Sequence, residues 1–268
     1  MTDSATVMDT PGANEIVLGD MSGGTNTSHT VIVEALATLF DVVPAGASPS
    51  DYERAAIEGN VLGKQTEGAR RRTLRYLKEL YLLRPDSILF RALRELWPND
   101  LHAQPLLAGL CALARDSVFR ASSGAIVSSS PGDILTAKDL AVAVEEHFPT
   151  SYSEGTLAKI GRNTFSSWEQ TGHLVAGAKN TKVRRRAVGH PASLTYALLL
   201  GHLQGARGAA LFETRWARIL DQPYSHLVDL ATSASQQRML EFRHGGGVID
   251  VTFHELLRPI DGDQGTVL

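Results

Sequence analysis

The stretch EGTLAKIGRNTFSSWEQTG, residues 154–172, decides the fold of the middle of this chain. Four residues recur at intervals of three and four and predict one packed face: Leu157, Ile160, Thr164 and Trp168. The opposite face contains cations, amides and a hydroxyl but no carboxylate: Lys159, Arg162, Asn163, Ser166 and Gln170. Ser153 supplies an N-cap. The stretch therefore predicts an amphipathic helix whose exposed face suits an anionic partner.

The segments around this helix predict a winged helix. A helical segment at 136–148 and a turn at 149–153 precede it, and a hairpin around GAKNT, residues 177–181, follows. Helix-turn-helix proteins place their second helix in the DNA major groove, and a wing adds backbone contacts.

The hairpin continues into KVRRR, residues 182–186, and carries the densest positive charge of the chain. The cations are Lys179, Lys182, Arg184, Arg185 and Arg186. Strand alternation predicts Lys182, Arg184 and Arg186 on one face and Arg185 on the other. Residues 152–190 contain seven Lys or Arg against two Asp or Glu, a local charge of +5. We expect the cations of this hairpin to bind phosphates. Lys159, Arg162, Asn163 and Ser166 would lie in the major groove or along its edge.

A second basic region lies at 64–95, where nine Lys or Arg face four Asp or Glu, again +5. Arg71, Arg75 and Lys78 share one helix face, at spacings of four and three residues. A solvated surface explains such a face equally well, so these residues are a secondary DNA-binding candidate.

The remaining pattern predicts a mainly α-helical chain in four parts. We expect a mobile leader at 1–29, a helical bundle at 30–122, and a winged-helix-like module at 123–190. A buried helix and a second winged-helix-like module, with a short hairpin around the three glycines at 245–247, follow at 191–268.

Composition excludes several classes of protein. The formal charge is −3 and the single cysteine, Cys111, forbids an internal disulfide. No uninterrupted apolar run predicts a membrane span, and the N-terminus is not a secretory signal, so we expect a cytoplasmic protein. No phosphate-loop, zinc-protease or nucleophile-elbow motif is complete, so the sequence predicts no enzyme, no metal site and no cofactor.

Three segments resemble the BrxA proteins of bacterial BREX phage-defence systems: EGNVLGKQTEGARRRTLRYLKELYLL at 58–83, LLAGLCALARDSVFR at 106–120 and RNTFSSWEQTGHL at 162–174. The resemblance implies a helical domain similar to the antitermination factor NusB and a non-enzymatic, DNA-binding accessory role within an antiviral defence operon. It carries over no catalytic residue.

Together these observations predict a protein that contacts double-stranded DNA and other subunits of a defence system. Two alternatives stay open. One is a protein-protein adaptor, favoured by the second module, whose helix ends SASQQRML with one cation, Arg238. The other is RNA binding or transcription regulation.

Overall fold

The computed structural model describes residues 12–17 and 23–259 and is mainly helical. Six helices form its first part: α1 (Val33–Val42), α2 (Pro49–Ile57), α3 (Glu67–Tyr81), α4 (Ile88–Leu96), α5 (Gln104–Arg115) and α6 (Ser117–Val127). Ser87 and Asp116 cap α4 and α6 by accepting from backbone N–H groups in their first turns. The α5 helix is buried along most of its length and forms the centre of this part.

The middle of the chain has the element order of a winged helix. Strand β1 (Ile134–Leu135), helices α7 (Ala137–His147) and α8 (Glu154–Gln170), and strands β2 (Leu174–Ala176) and β3 (Lys182–Arg184) follow α6. The strands form an antiparallel sheet in the order β1-β3-β2. Val183 pairs with Ile134 on one side and Val175 on the other. We call residues 174–184 the wing.

The last part begins with α9 (Pro191–Leu203), which is buried almost throughout. A short α10 (Arg215–Ile219) and α11 (Tyr224–Gln236) precede the hairpin of β4 (Glu241–Gly245) and β5 (Val248–Thr252). Gly246 and Gly247 have positive φ, as a tight hairpin turn requires, so this predicted hairpin is confirmed.

One continuous core joins the first and last parts, because α9 packs against α4 and α5. A small separate cluster of Val118, Val144, Phe148 and Ile160 lies inside the winged-helix module. Within the described ranges no helix has the length and apolarity needed to cross a membrane.

Three predictions about organisation need correction. Residues 12–17 and 23–29 are packed rather than a mobile leader, since Ile16, Thr25 and Asn26 are buried; residues 1–11 and 18–22 lie outside the described ranges. The predicted boundary at 122/123 falls inside α6, which is the first helix of the winged module.

The predicted second winged module is incomplete. Its first helix, α10, is five residues long, and β4 and β5 form a two-stranded sheet without a third strand from the described residues.

Candidate nucleic-acid interface

The candidate site is built on α8. Ser153 caps the helix by accepting a hydrogen bond from the Thr156 N–H at 3.3 Å. Trp168 is fully buried and donates from Nε1 to Ser122 Oγ of α6 at 2.8 Å, which fixes the rotation of α8 about its axis. Gly155, Lys159, Arg162 and Ser166, which we call the α8 stripe, lie roughly opposite Trp168 on the helix.

Lys159 and Arg162 are the free cations of this stripe. Both are exposed, and neither forms an ion pair with any residue of the described ranges. Ser166 is partly exposed. The structure therefore brings three predicted site residues to one outward-facing stripe.

The wing lies along one side of the stripe. Lys182 donates from Nζ to the Phe165 carbonyl at 2.9 Å, lies 4.2 Å from the centre of the Phe165 ring, and pairs with Glu169 at 2.9 Å. Its side chain is 12% exposed. The prediction of Lys182 as a phosphate contact is therefore wrong in this conformation, because its charge is already neutralised inside the fold.

Arg184 is also a structural residue. Its guanidinium is 3% exposed and pairs with Asp221 at 2.9 Å, and its Nε donates to the Ile126 carbonyl at 3.1 Å. The alternation of Lys182 with Arg184 is confirmed, but their shared face points into the protein. Arg185 and Arg186 are exposed beyond the end of β3, with Arg186 Nε 4.0 Å from Asp221.

The tip of the wing carries a further exposed cation, Lys179. Lys182, three residues later in the hairpin, holds the wing against Phe165 and Glu169 of α8. Lys179 and Asn180 both have positive φ, as the two central residues of this kind of hairpin turn require.

The other side of the stripe is covered by residues 23–31, which we call the N-terminal segment. Asn163 donates from Nδ2 to the Asn26 carbonyl at 3.0 Å, and Ser167 donates to Asn26 Oδ1 at 2.7 Å. Asn26 is held in turn by Asp116, whose Oδ2 accepts from the Asn26 N–H at 2.7 Å. The prediction that Asn163 reads bases is therefore corrected, because its amide is engaged inside the protein.

The N-terminal segment also reaches α3. Thr25 donates to Glu79 at 2.8 Å, and the His29 ring lies 4.8 Å from the Tyr76 ring. Burial, with the charges of Lys64 and Arg72, lowers the pKa of His29 below its usual value. The segment thus connects the α8 stripe to the basic side of α3.

The predicted cations of α3 are all paired: Arg71 and Arg75 are exposed and Lys78 is partly exposed. Arg71 lies 2.6 Å from Glu67, Arg75 lies 3.6 Å from Glu79, and Lys78 lies 3.0 Å from Glu53. Exposed pairs of this kind contribute only about 0.2–1 kcal/mol, so a phosphate can displace the carboxylate. Arg72, next to Arg71 in the sequence, is exposed and has no ion pair in the described ranges.

Sequence reasoning missed the residues that decide which cations are free. Glu169, Asp221 and Asn26 each engage a predicted site residue. Glu169 and Asp221 are sequence-distant from the cations they pair with, so no spacing rule indicates them. The one signal in the sequence was the alternation of residues in β3, since a short strand packed beside a helix turns one of its two faces inward.

No family model, no curated protein and no solved structure matches this chain. Among the residues that the structure describes, no group of three or more His, Cys, Asp or Glu side chains is placed to hold a metal ion.

Proposed function

We propose that this chain is a non-enzymatic protein that binds duplex DNA through the α8 stripe and the wing tip. The observation that carries the proposal is a pair of cations, Lys159 and Arg162, that have no ion pair among the described residues and lie on α8, the third helix of the winged module and the second of its helix-turn-helix. Arginine pairs with guanine edges and lysine with phosphates, so these residues suit a helix lying in the major groove.

Lys179 at the wing tip and Arg72 on α3 are exposed cations on elements that neighbour α8, and we include them in the proposed surface. Four such cations neutralise about four phosphates, so affinity should fall about 10²-fold between 50 and 200 mM salt. The accessory role in a phage-defence assembly, with other subunits as partners, rests on the sequence resemblance alone.

The testing experiment compares Lys159→Ala/Arg162→Ala with the wild type on a short duplex. We expect weaker binding at every salt concentration and a salt slope reduced by up to about 1.8, the value for two lost phosphate contacts. Arg84→Ala/Arg243→Ala removes the same charge from exposed positions elsewhere and serves as the control. Equal affinity of the α8 variant and the wild type would show that α8 does not contact DNA.

A groove between α7 and α8 supports the adaptor as a second candidate. It has a volume of about 580 Å³, is lined partly by Ala141, Val142 and Leu157, and is flanked by Glu145 and Glu154. Val142 is 41% exposed, and this apolar lining is what favours a protein partner. Lys138 and Arg162 also line the groove and balance the charge of the two carboxylates. Gel retardation of plain duplex DNA at moderate salt decides between the candidates, and competition with structured RNA tests the RNA alternative.

A further inference from the structure

A second group of exposed cations lies at the base of the wing, away from the α8 stripe. It consists of Arg185 and Arg186, just after β3, with Arg215 and Arg218 of α10; we call it the α10 patch. Arg215 and Arg218 are three residues apart, so they share one side of the short helix. Neither forms an ion pair within the part of the chain that the structure describes.

Contacts through Asp221 and His173 connect the segment after β3 to α10. Asp221 pairs with buried Arg184 at 2.9 Å and lies 4.0 Å from Arg186. The Asp221 N–H donates to the Arg218 carbonyl at 3.0 Å, so Arg218 is one turn from the carboxylate that positions Arg186. The Arg185 N–H donates to the His173 carbonyl at 2.8 Å, and His173 Nε2 lies 2.8 Å from the Ile219 carbonyl of α10.

The local charge balance is strongly positive. The pKa of Arg120 in α6 is lowered mainly by burial and further by the nearby positive charge of Arg215. Arg120 donates to the carbonyls of Leu113 and Val17. Nearby carboxylates are Asp221, already engaged by Arg184, buried Asp116 beside Arg120, and exposed Glu213 and Asp133. Like charges gathered in this way cost stability unless a polyanion binds them.

The patch lies at the opposite end of α8 from the stripe. Arg162 is eight residues before the end of the helix at Gln170, or about 12 Å along the axis, and His173 and α10 lie beyond that end. The two surfaces therefore lie at different ends of α8, and contact with the α10 patch requires a duplex that extends past the last turn of the helix, or a second duplex.

We propose that the α10 patch is a second binding surface for the phosphate backbone of duplex DNA. This inference rests on the proposed function and extends it, since the first surface holds one stretch of DNA and the α10 patch holds another. The second stretch is either a continuation of the same duplex or a second duplex, and the chemistry of recognition is the same.

The test uses Arg215→Ala/Arg218→Ala, both at exposed positions, beside Lys159→Ala/Arg162→Ala and the Arg84→Ala/Arg243→Ala control. On a duplex of about 15 base pairs we expect the α10 variant to lose less affinity than on a long duplex, because fewer placements of a short duplex reach both surfaces. On a duplex of about 40 base pairs we expect about tenfold weaker binding at low salt and a salt slope lower by up to about 1.8.

A bridging assay identifies the source of the second stretch: wild type on an immobilised short duplex is offered a labelled second duplex. If the wild type captures the labelled duplex and the α10 variant does not, the α10 patch binds a second duplex. If the wild type captures none and the α10 variant still binds the long duplex more weakly, the patch contacts a continuation of the same duplex. Wild-type behaviour of the α10 variant in both assays overturns the second surface alone, as does an equal loss on the short duplex. If the wild type binds neither the short nor the long duplex, the proposed function itself is overturned.

Discussion

At the scale of single residues, the local environment separates structural cations from free ones within one basic run. Arg184 and Arg185 are neighbours in the sequence, but one guanidinium is buried against Asp221 and the other is exposed. A buried ion pair contributes little compared with an apolar pair, yet removal of one partner leaves an unpaired charge.

Arg184→Ala should therefore lower the free energy of unfolding by about 3 kcal/mol, the low end of the range for a broken buried pair, because Asp221 retains partial solvent access. Arg185→Ala is the matched control and should change stability by less than about 0.5 kcal/mol. Urea denaturation measures both variants. Similar stability of the two variants would mean that Arg184 is not held as the structure shows.

The wing tip offers a second comparison of neighbours. Lys179 and Asn180 both have positive φ, where glycine is less strained, so glycine at either position should stabilise the protein by up to about 1 kcal/mol. DNA affinity should fall only for Lys179→Gly, because Asn180→Gly removes no charge. A thermal midpoint and a binding titration for each variant test this. Equal affinities would remove Lys179 from the interface.

At the scale of elements, the crossing of α7 and α8 depends on one glycine. A Cβ at Gly161 would lie 2.2 Å from the Ala137 carbonyl oxygen and 3.0 Å from Ala141 Cβ. This close approach positions α8, the third helix of the winged module, and with it the α8 stripe.

Gly161→Ala should destabilise the protein by about 1–3 kcal/mol, since the two helices must separate to admit the methyl group. Gly155→Ala, in the same helix but next to open space, should be neutral or stabilising by up to about 1 kcal/mol. Denaturation of both variants gives the comparison, and a stable Gly161→Ala protein would contradict the observed crossing.

The sequence predicted most of these elements because their signals are local. The 3.6-residue period of 154–170, the Ser153 cap and the glycine-rich turn at 245–247 each depend on neighbours within a few residues. Strand β1, with two residues, was not predicted, because its pairing with β3 joins residues far apart in the chain.

At the scale of the whole molecule, buried histidines couple stability to pH. Burial lowers the pKa of His173 to about 4, an effect to which the charge of Arg184 adds, while the Ile219 carbonyl and Asp221 oppose it. Since a carbonyl only accepts, Nε2 carries the proton in the neutral ring. The pKa of His202 is also lowered to about 4, mainly by burial.

The contribution of His173 should be fully present above about pH 6.5, where both states hold a neutral ring. Between about pH 6.5 and 4 the unfolded chain binds a proton that the folded state excludes. The free energy of unfolding should then fall with decreasing pH by up to about 1.4 kcal/mol per pH unit.

His173→Gln keeps a donor and an acceptor without this titration. The difference in unfolding free energy between wild type and variant, measured from pH 4 to 7.5, therefore isolates the His173 contribution from other titrating groups. A difference that does not change with pH would contradict the neutral, buried imidazole.

The sequence by itself determined the mainly helical class, the amphipathic division of α8 and the C-terminal hairpin, because helix period, caps and turns are set by residues close in the chain. Only the tertiary structure decided which cations are available. Glu169, Asp221 and Asn26 come from distant segments to engage Lys182, Arg184 and Asn163, while Lys159, Arg162 and Lys179 are left exposed. Burial and ion pairing depend on which segments meet in space, and no local pattern records that.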